Sequence, residues 1–235
     1  MKSAMAVGLA TLSVLAVIVI TGITSAGAVE PAAHFMLCRA KVGGPYQFGC
    51  RLSGPPFEWE KTYVASTPES IKTTGLSAFE FETTVLGKSV LITCTSEAGT
   101  GTAKNPEPFK STNGEGEATL TFEGCTVAKL GACAVAGKKI TTSKLHEAAE
   151  ESKTLGLGIK FTPATGTTFA KIILNEECAI GEEIVVQGSD FGIANVEGEL
   201  EFTNASSSLT VGGKEAKLRG KLEQENEKGD LVSID

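Results

Sequence analysis

The sequence predicts an all-β fold, an antiparallel β-sandwich or barrel, and three observations predict it. Apolar residues recur at every second position from Phe79 onward, the period of half-buried strands. Clusters of Gly, Asn, Pro and Ser punctuate these runs at short intervals. Helical periodicity is nearly absent, which argues against an α/β enzyme fold.

The first element is a leader. Lys2 supplies a small positive region, Met5 to Ile20 is an apolar run, and Ala26-Gly27-Ala28 is a small-residue cleavage site. The run is shorter than the ~20 residues that a membrane-spanning helix needs. Residues 1–28 are therefore expected to be a signal peptide, cleaved after Ala28, with no membrane span in the secreted chain.

Residues 29–68 are expected to be an irregular, disulfide-stapled segment packed on the main domain. The segment holds the Cys38 to Cys50 loop, Gly43-Gly44-Pro45, Gly54-Pro55-Pro56 and the only tryptophan, Trp59. Tyr46, Phe57, Trp59 and Tyr63 cluster here in a chain otherwise poor in aromatic residues, and they are the candidate contact surface. The competing reading is that they cover an apolar edge of the main domain.

Residues 69–235 are expected to form one antiparallel β domain. Val90, Ile92 and Cys94 share a face, as do Ala118, Leu120 and Phe122, so the first half reads as a meander. Lys144 to Lys153 is the one stretch of helix-forming composition, expected as a turn or two of helix or a loop between strands. Leu155 to Phe161, Phe169 to Leu174 and Glu183 to Gln187 read as strands, with Gly188 to Gly192 as a connection. Near the C-terminus Leu200 and Phe202 alternate with Glu199 and Glu201, and Leu218 and Leu222 alternate with Arg219 and Lys221. Ser207 to Val211 would form a hairpin with the second run through Gly212-Gly213. If the acidic and basic strands are neighbours, facing ion pairs would favour that register by roughly 0.2–1 kcal/mol each.

The chain has six cysteines, all downstream of the leader. An even number in an oxidising compartment favours disulfides over thiol chemistry. Six cysteines allow many connectivities. Proximity in sequence favours Cys38 with Cys50 and Cys125 with Cys133, which leaves Cys94 with Cys178 as the long tie. The spacing lacks the short pairs of zinc knuckles, so no metal site is expected.

Composition bounds the function. With 21 basic against 28 acidic side chains and a net charge of −7, the surface repels phosphate backbones, and nucleic acid is not an expected partner. His34 and His146 are the only histidines, and neither stands near a nucleophile elbow. Of the acidic residues, all but Asp190, Asp230 and Asp235 are Glu, mostly near turns where they would be solvated. Asp190-Phe191-Gly192 lacks the companion loops of a kinase and reads as turn chemistry. Asn204-Ala205-Ser206 matches the N-glycosylation acceptor pattern. No catalytic residue and no cofactor is expected.

Several elements together resemble a family of secreted, cysteine-containing, β-rich actinobacterial proteins without an assigned activity. They are the N-terminal Cys pair, Val-Leu-Ile-Thr-Cys-Thr-Ser at 90–96, Phe122-Glu123-Gly124-Cys125 with Cys133 soon after, and Val186-Gln187-Gly188-Ser189. The resemblance implies an exported β protein and supplies no catalytic residues. At Lys144 to Lys153 the family pattern implies a more apolar strand. The function expected is a non-enzymatic binding or structural module, extracellular or attached to the cell wall, with an unidentified extracellular or cell-surface partner. The alternatives are a small-ligand carrier with an apolar cavity inside a barrel, or a glycoside hydrolase built on a carboxylate pair.

Overall fold

The computed structural model describes residues 32–235 apart from 56, 57, 110 and 129. The expected signal peptide and its cleavage site lie outside the described residues. The strands, in chain order, are β1 (Phe35–Ala40), β2 (Trp59–Tyr63), β3 (Glu69–Gly75), β4 (Phe79–Val85), β5 (Lys88–Cys94), β6 (Ser96–Lys104), β7 (Glu115–Glu123) and β8 (Thr126–Ala128). They continue as β9 (Lys139–Thr142), β10 (Leu145–Ser152), β11 (Gly156–Pro163), β12 (Thr168–Ile173) and β13 (Glu183–Ala194). The last four are β14 (Leu200–Phe202), β15 (Ser208–Val211), β16 (Lys214–Asn226) and β17 (Leu231–Ile234).

Eight of these close an antiparallel barrel in the order β3–β6–β7–β10–β11–β13–β14–β16, with β16 pairing back onto β3. Eight strands leave an interior just wide enough for side chains to fill. Ile71, Ala103, Ala118, Leu145, Ile159 and Leu222 are among the buried residues that fill it. The long strands β13 and β16 run past the barrel into a second layer. There β16 pairs with β4 and β15, β13 with β12 and β15, and β12 with β9. Strand β4 continues to β5 and β5 to β8, where this layer ends in an open edge. Across the junction the Phe79 ring packs between Phe122 and Phe202, with centroids 5.1 and 6.1 Å away, so the two layers share one core.

Close packing at the junction depends on Gly220. A Cβ there would lie 2.5 Å from the Phe79 ring, and β16 hands over from β4 to β3 at this point. The Gly212-Gly213 turn holds both residues at positive φ (55° and 75°), the conformation that joins strands in a tight hairpin, and β15 and β16 pair as the sequence predicts. The expected neighbouring of acidic and basic strands also holds, with Glu201 opposite Lys221.

Three expectations are corrected. Lys144 to Lys153 is not helical: Leu145–Ser152 is β10, with Leu145, Glu147 and Ala149 inside the barrel and His146 and Glu150 outside. Pairing on both sides, with β7 and β11, overrides helix-forming composition. Gly188 to Gly192 is not a connection, because β13 runs through it as far as Ala194 and buries Asp190.

The cysteine pairing is the third correction. Cys38 joins Cys50 as expected, but Cys94 joins Cys125 and Cys133 joins Cys178. The reason lies in the register. Thr93 pairs with Thr126, which brings the adjoining Cys94 and Cys125 together, and β8 then carries the chain away before Cys133 is reached. Cys133 instead meets Cys178 where two loops run side by side. Val135 bridges Leu174, and Asn175 bonds both Ala132 O and Ala134 N. Three disulfides form in an oxidising compartment.

The N-terminal segment is built into the fold. Strand β1 lies between β2 and β17, and β17 continues onto β16. One face of this small sheet, with Phe35, Val232 and Ile234, joins the main core, while Met36, Cys38, Cys50 and Leu231 form a separate cluster beneath the loop 41–55.

Candidate contact surface

The period of a strand places Trp59, Lys61 and Tyr63 on one face of β2. The loop 41–55, tied down by Cys38–Cys50, folds over the first two and brings Tyr46 into an antiparallel bridge with Trp59, with N–H to O distances of 3.1 and 3.2 Å. Tyr46 and Trp59 are half-buried against Met36 and Cys38, and the Phe48 ring meets Trp59 edge-on at 4.8 Å.

Lys61 is the hinge of the arrangement. Its ammonium sits 5.2 Å from the Tyr46 ring centroid and 5.5 Å from that of Tyr63, within the range of cation–π attraction. It also donates to Asp235 Oδ2 at 2.6 Å, an oxygen that accepts from the Tyr63 hydroxyl at 2.8 Å. Partial burial disfavours the Lys61 charge, but the bond and charge of Asp235 outweigh this and hold its pKa above the ordinary value. Burial opposes the Asp235 charge too, and the bonds from Lys61 and Tyr63 prevail and lower its pKa. The pair is ionised and fixed at neutral pH.

A second aromatic group adjoins it. The Phe109 ring stacks on His34 at 4.1 Å and meets Tyr63 edge-on at 4.9 Å. His34 is buried and its Nε2 bonds the Phe109 carbonyl oxygen, so it is a packing residue beneath the surface rather than a free terminal histidine. Phe48, Leu52 and Tyr63 are each about half exposed, at 47%, 46% and 45%, and Val42 is almost wholly so. The result is an apolar surface with a fixed cation at its base.

Of the sequence-predicted contact residues, Tyr46, Trp59 and Tyr63 are brought together, and Phe57 lies outside the described residues. Sequence reasoning missed Phe48, Lys61, Phe109, His34 and Asp235. Phe48 and Lys61 lie inside the aromatic cluster and were legible there. Phe109 and Asp235 arrive from distant segments and leave no local signal.

Other chemistry-bearing groups are engaged or enclosed. His146 lines a groove with Glu115 and Glu117, but Lys104 pairs with Glu115 at 2.8 Å and Lys144 with Glu117 at 2.5 Å. Glu97, Glu147 and Asp190 are buried. All six cysteines are in disulfides, and no group of three potential metal ligands occurs among the described residues. An apolar cavity in the second layer, lined by Phe79, Phe81, Phe122 and Phe169 among others, measures about 30 Å³, room for one water. Comparison with family models, with curated proteins and with solved structures finds no match.

Proposed function

We propose that this protein is a secreted, non-enzymatic binding module that meets an extracellular or cell-wall partner through the surface around Tyr63. The observation that carries the reading is the chain of contacts among Phe48, Trp59, Tyr46, Tyr63 and Phe109 around a fixed Lys61–Asp235 pair, with Phe48 and Tyr63 about half exposed and Phe48 on a loop closed by a disulfide. Rigid, half-exposed aromatic side chains bind with little loss of conformational freedom, and such residues dominate measured interface energies. The leader expected over residues 1–28 supplies export, and the resemblance to secreted actinobacterial proteins points the same way. A binding role is favoured over carriage in an apolar interior, because the apolar cavity among the core rings measures about 30 Å³ and an internal small-molecule pocket needs roughly 300–1,000 Å³.

The test is sedimentation of the labelled protein with insoluble cell-wall material. The wild type should cosediment, and a Phe48→Ala/Tyr63→Ala variant should lose roughly tenfold or more in affinity, as two interface aromatics lost together would require. Equal binding by the variant, or turnover of glycan by the wild type, would overturn the reading.

A further inference from the structure

The barrel interior holds carboxyl groups where no cation can answer them. Glu147 on β10 is wholly buried, Glu97 on β6 and Asp190 on β13 are nearly so, and no Lys or Arg among the described residues is buried. Asp230 is buried too, but it pairs with Arg39 at 2.6 Å near the β16–β17 turn. His34 lies beneath Phe109.

Glu147 reaches across the barrel. Going round the ring, β10 is four strands from β16 in either direction, so the two stand opposite each other. Gln224 of β16 donates from Nε2 to Glu147 Oε1 at 3.0 Å. The other two oxygens of the pair, Glu147 Oε2 and Gln224 Oε1, have no hydrogen-bond partner. Two acceptors left over on adjoining groups are what a missing proton would explain: a neutral carboxylic acid would donate from Oε2 to the amide oxygen and complete a reciprocal pair. Glu97 and Asp190 share the unpartnered carboxyl oxygen, without a second leftover acceptor on the group that bonds them. Glu97 Oε1 accepts from Thr73 Oγ1 at 2.7 Å, Asp190 Oδ1 accepts from Phe191 N at 2.8 Å, and the second oxygen of each is unpartnered.

We propose that these three carboxyls are an internal latch, with the Glu147–Gln224 pair as its cross-tie, which holds the barrel shut while protonated and loosens it as they ionise. Burial drives the effect, pushing Glu147 up to about 8 and Glu97 and Asp190 up to about 7, against partly compensating hydrogen bonds. The titratable groups on the inward faces of the other strands of the ring are Glu97, Asp190 and, at the start of β3, the half-buried Glu69, which accepts from Asn226 Nδ2 at 3.2 Å; β7, β11, β14 and β16 bring none that is buried. Burial, rather than a neighbouring charge, opposes ionisation at each of the three. Each proton lost passes to bulk water, and the cross-tie is left with two acceptor oxygens and no donor for either.

The sign follows. With folded-state pKa values above those of the unfolded chain, the native state binds more protons between about pH 4 and pH 8. Stability is then full below that window and declines as pH rises through it.

The experiment compares melting of the oxidised wild type and Glu147→Gln at pH 5 and pH 8. Glutamine reproduces the neutral acid, since its amide can donate to Gln224 Oε1. The wild type should melt roughly 10 °C or more lower at pH 8 than at pH 5, the size expected for one such shift in a domain of this length. Glu147→Gln should show a clearly smaller drop and melt at or above the wild type at pH 8. A drop as large as that of the wild type, or a lower melting point at pH 8, would overturn the latch. Should the variant fail to fold, carboxyl ¹³C titration of the wild type decides. A glutamate midpoint above pH 6 supports it, and all glutamates titrating in the ordinary range near pH 4–5 defeats it.

Discussion

Asn105 carries more structure than its size suggests. Its amide donates to Phe35 O and Val64 O at 2.7 and 2.9 Å, and its oxygen accepts from Phe35 N at 2.8 Å. One buried side chain thus satisfies backbone groups of β1 and of the residue that follows β2, and fixes the N-terminal sheet to the loop that carries Phe109. Asn105→Ala leaves Phe35 N and Val64 O buried and unpaired, while Phe35 O keeps the Val64 N–H at 3.1 Å, and should destabilise the protein by about 2–4 kcal/mol, measurable by urea unfolding of the oxidised form. Nothing in the sequence marked it beyond its place in a turn-forming Asn-Pro pair. The aromatic residues were more legible, because Tyr46, Trp59 and Tyr63 lie within one short segment, whereas the stacking of His34 under Phe109 depends on a contact that only the fold creates.

Among the elements, the strands whose apolar residues alternate cleanly were readable, as β5, β7, β15 and β16 illustrate. Strand β10 was not, since Glu147 occupies an inward position where alternation calls for an apolar residue, and Ala, Glu and Lys around it favour a helix. Its neutral-acid chemistry is what lets a glutamate stand there. Strand β13 was read too short because glycines at 188 and 192 look like a turn. The disulfides separate sequence proximity from spatial proximity, since nearness along the chain pointed to Cys125 and Cys133 while strand register decides. Loop lengths give an ordering: by chain entropy the Cys133–Cys178 bridge contributes about 4 kcal/mol and Cys38–Cys50 about 3. Paired Cys→Ser replacement should lower stability more at the first than at the second. Removal of Cys38–Cys50 should in addition weaken partner binding, because it frees the loop 41–55; urea unfolding of each double variant checks the ordering and the sedimentation assay checks the binding.

Across the whole molecule, the all-β class followed from period and punctuation alone, but closure into a barrel did not, since it rests on β16 returning to β3. Closure removes edges that would otherwise invite another chain, and β8, with three residues, is a short remnant. Native-state hydrogen exchange should therefore be slowest in β6, β7, β11 and β16, each hydrogen-bonded on both sides, and fastest in the loop 41–55 and the 152–156 turn. Uniform exchange across these regions would contradict the single closed core.

The placement of β1 between β2 and β17 governs the order of events in assembly. Phe35 has no partner on one side until Ile234 exists, and the backbones of His34 and Asp235 bond each other in both directions. A chain that still lacks β17 therefore holds β1 paired on its β2 side alone. The far edge of β1 stays open until the final strand arrives and closes it.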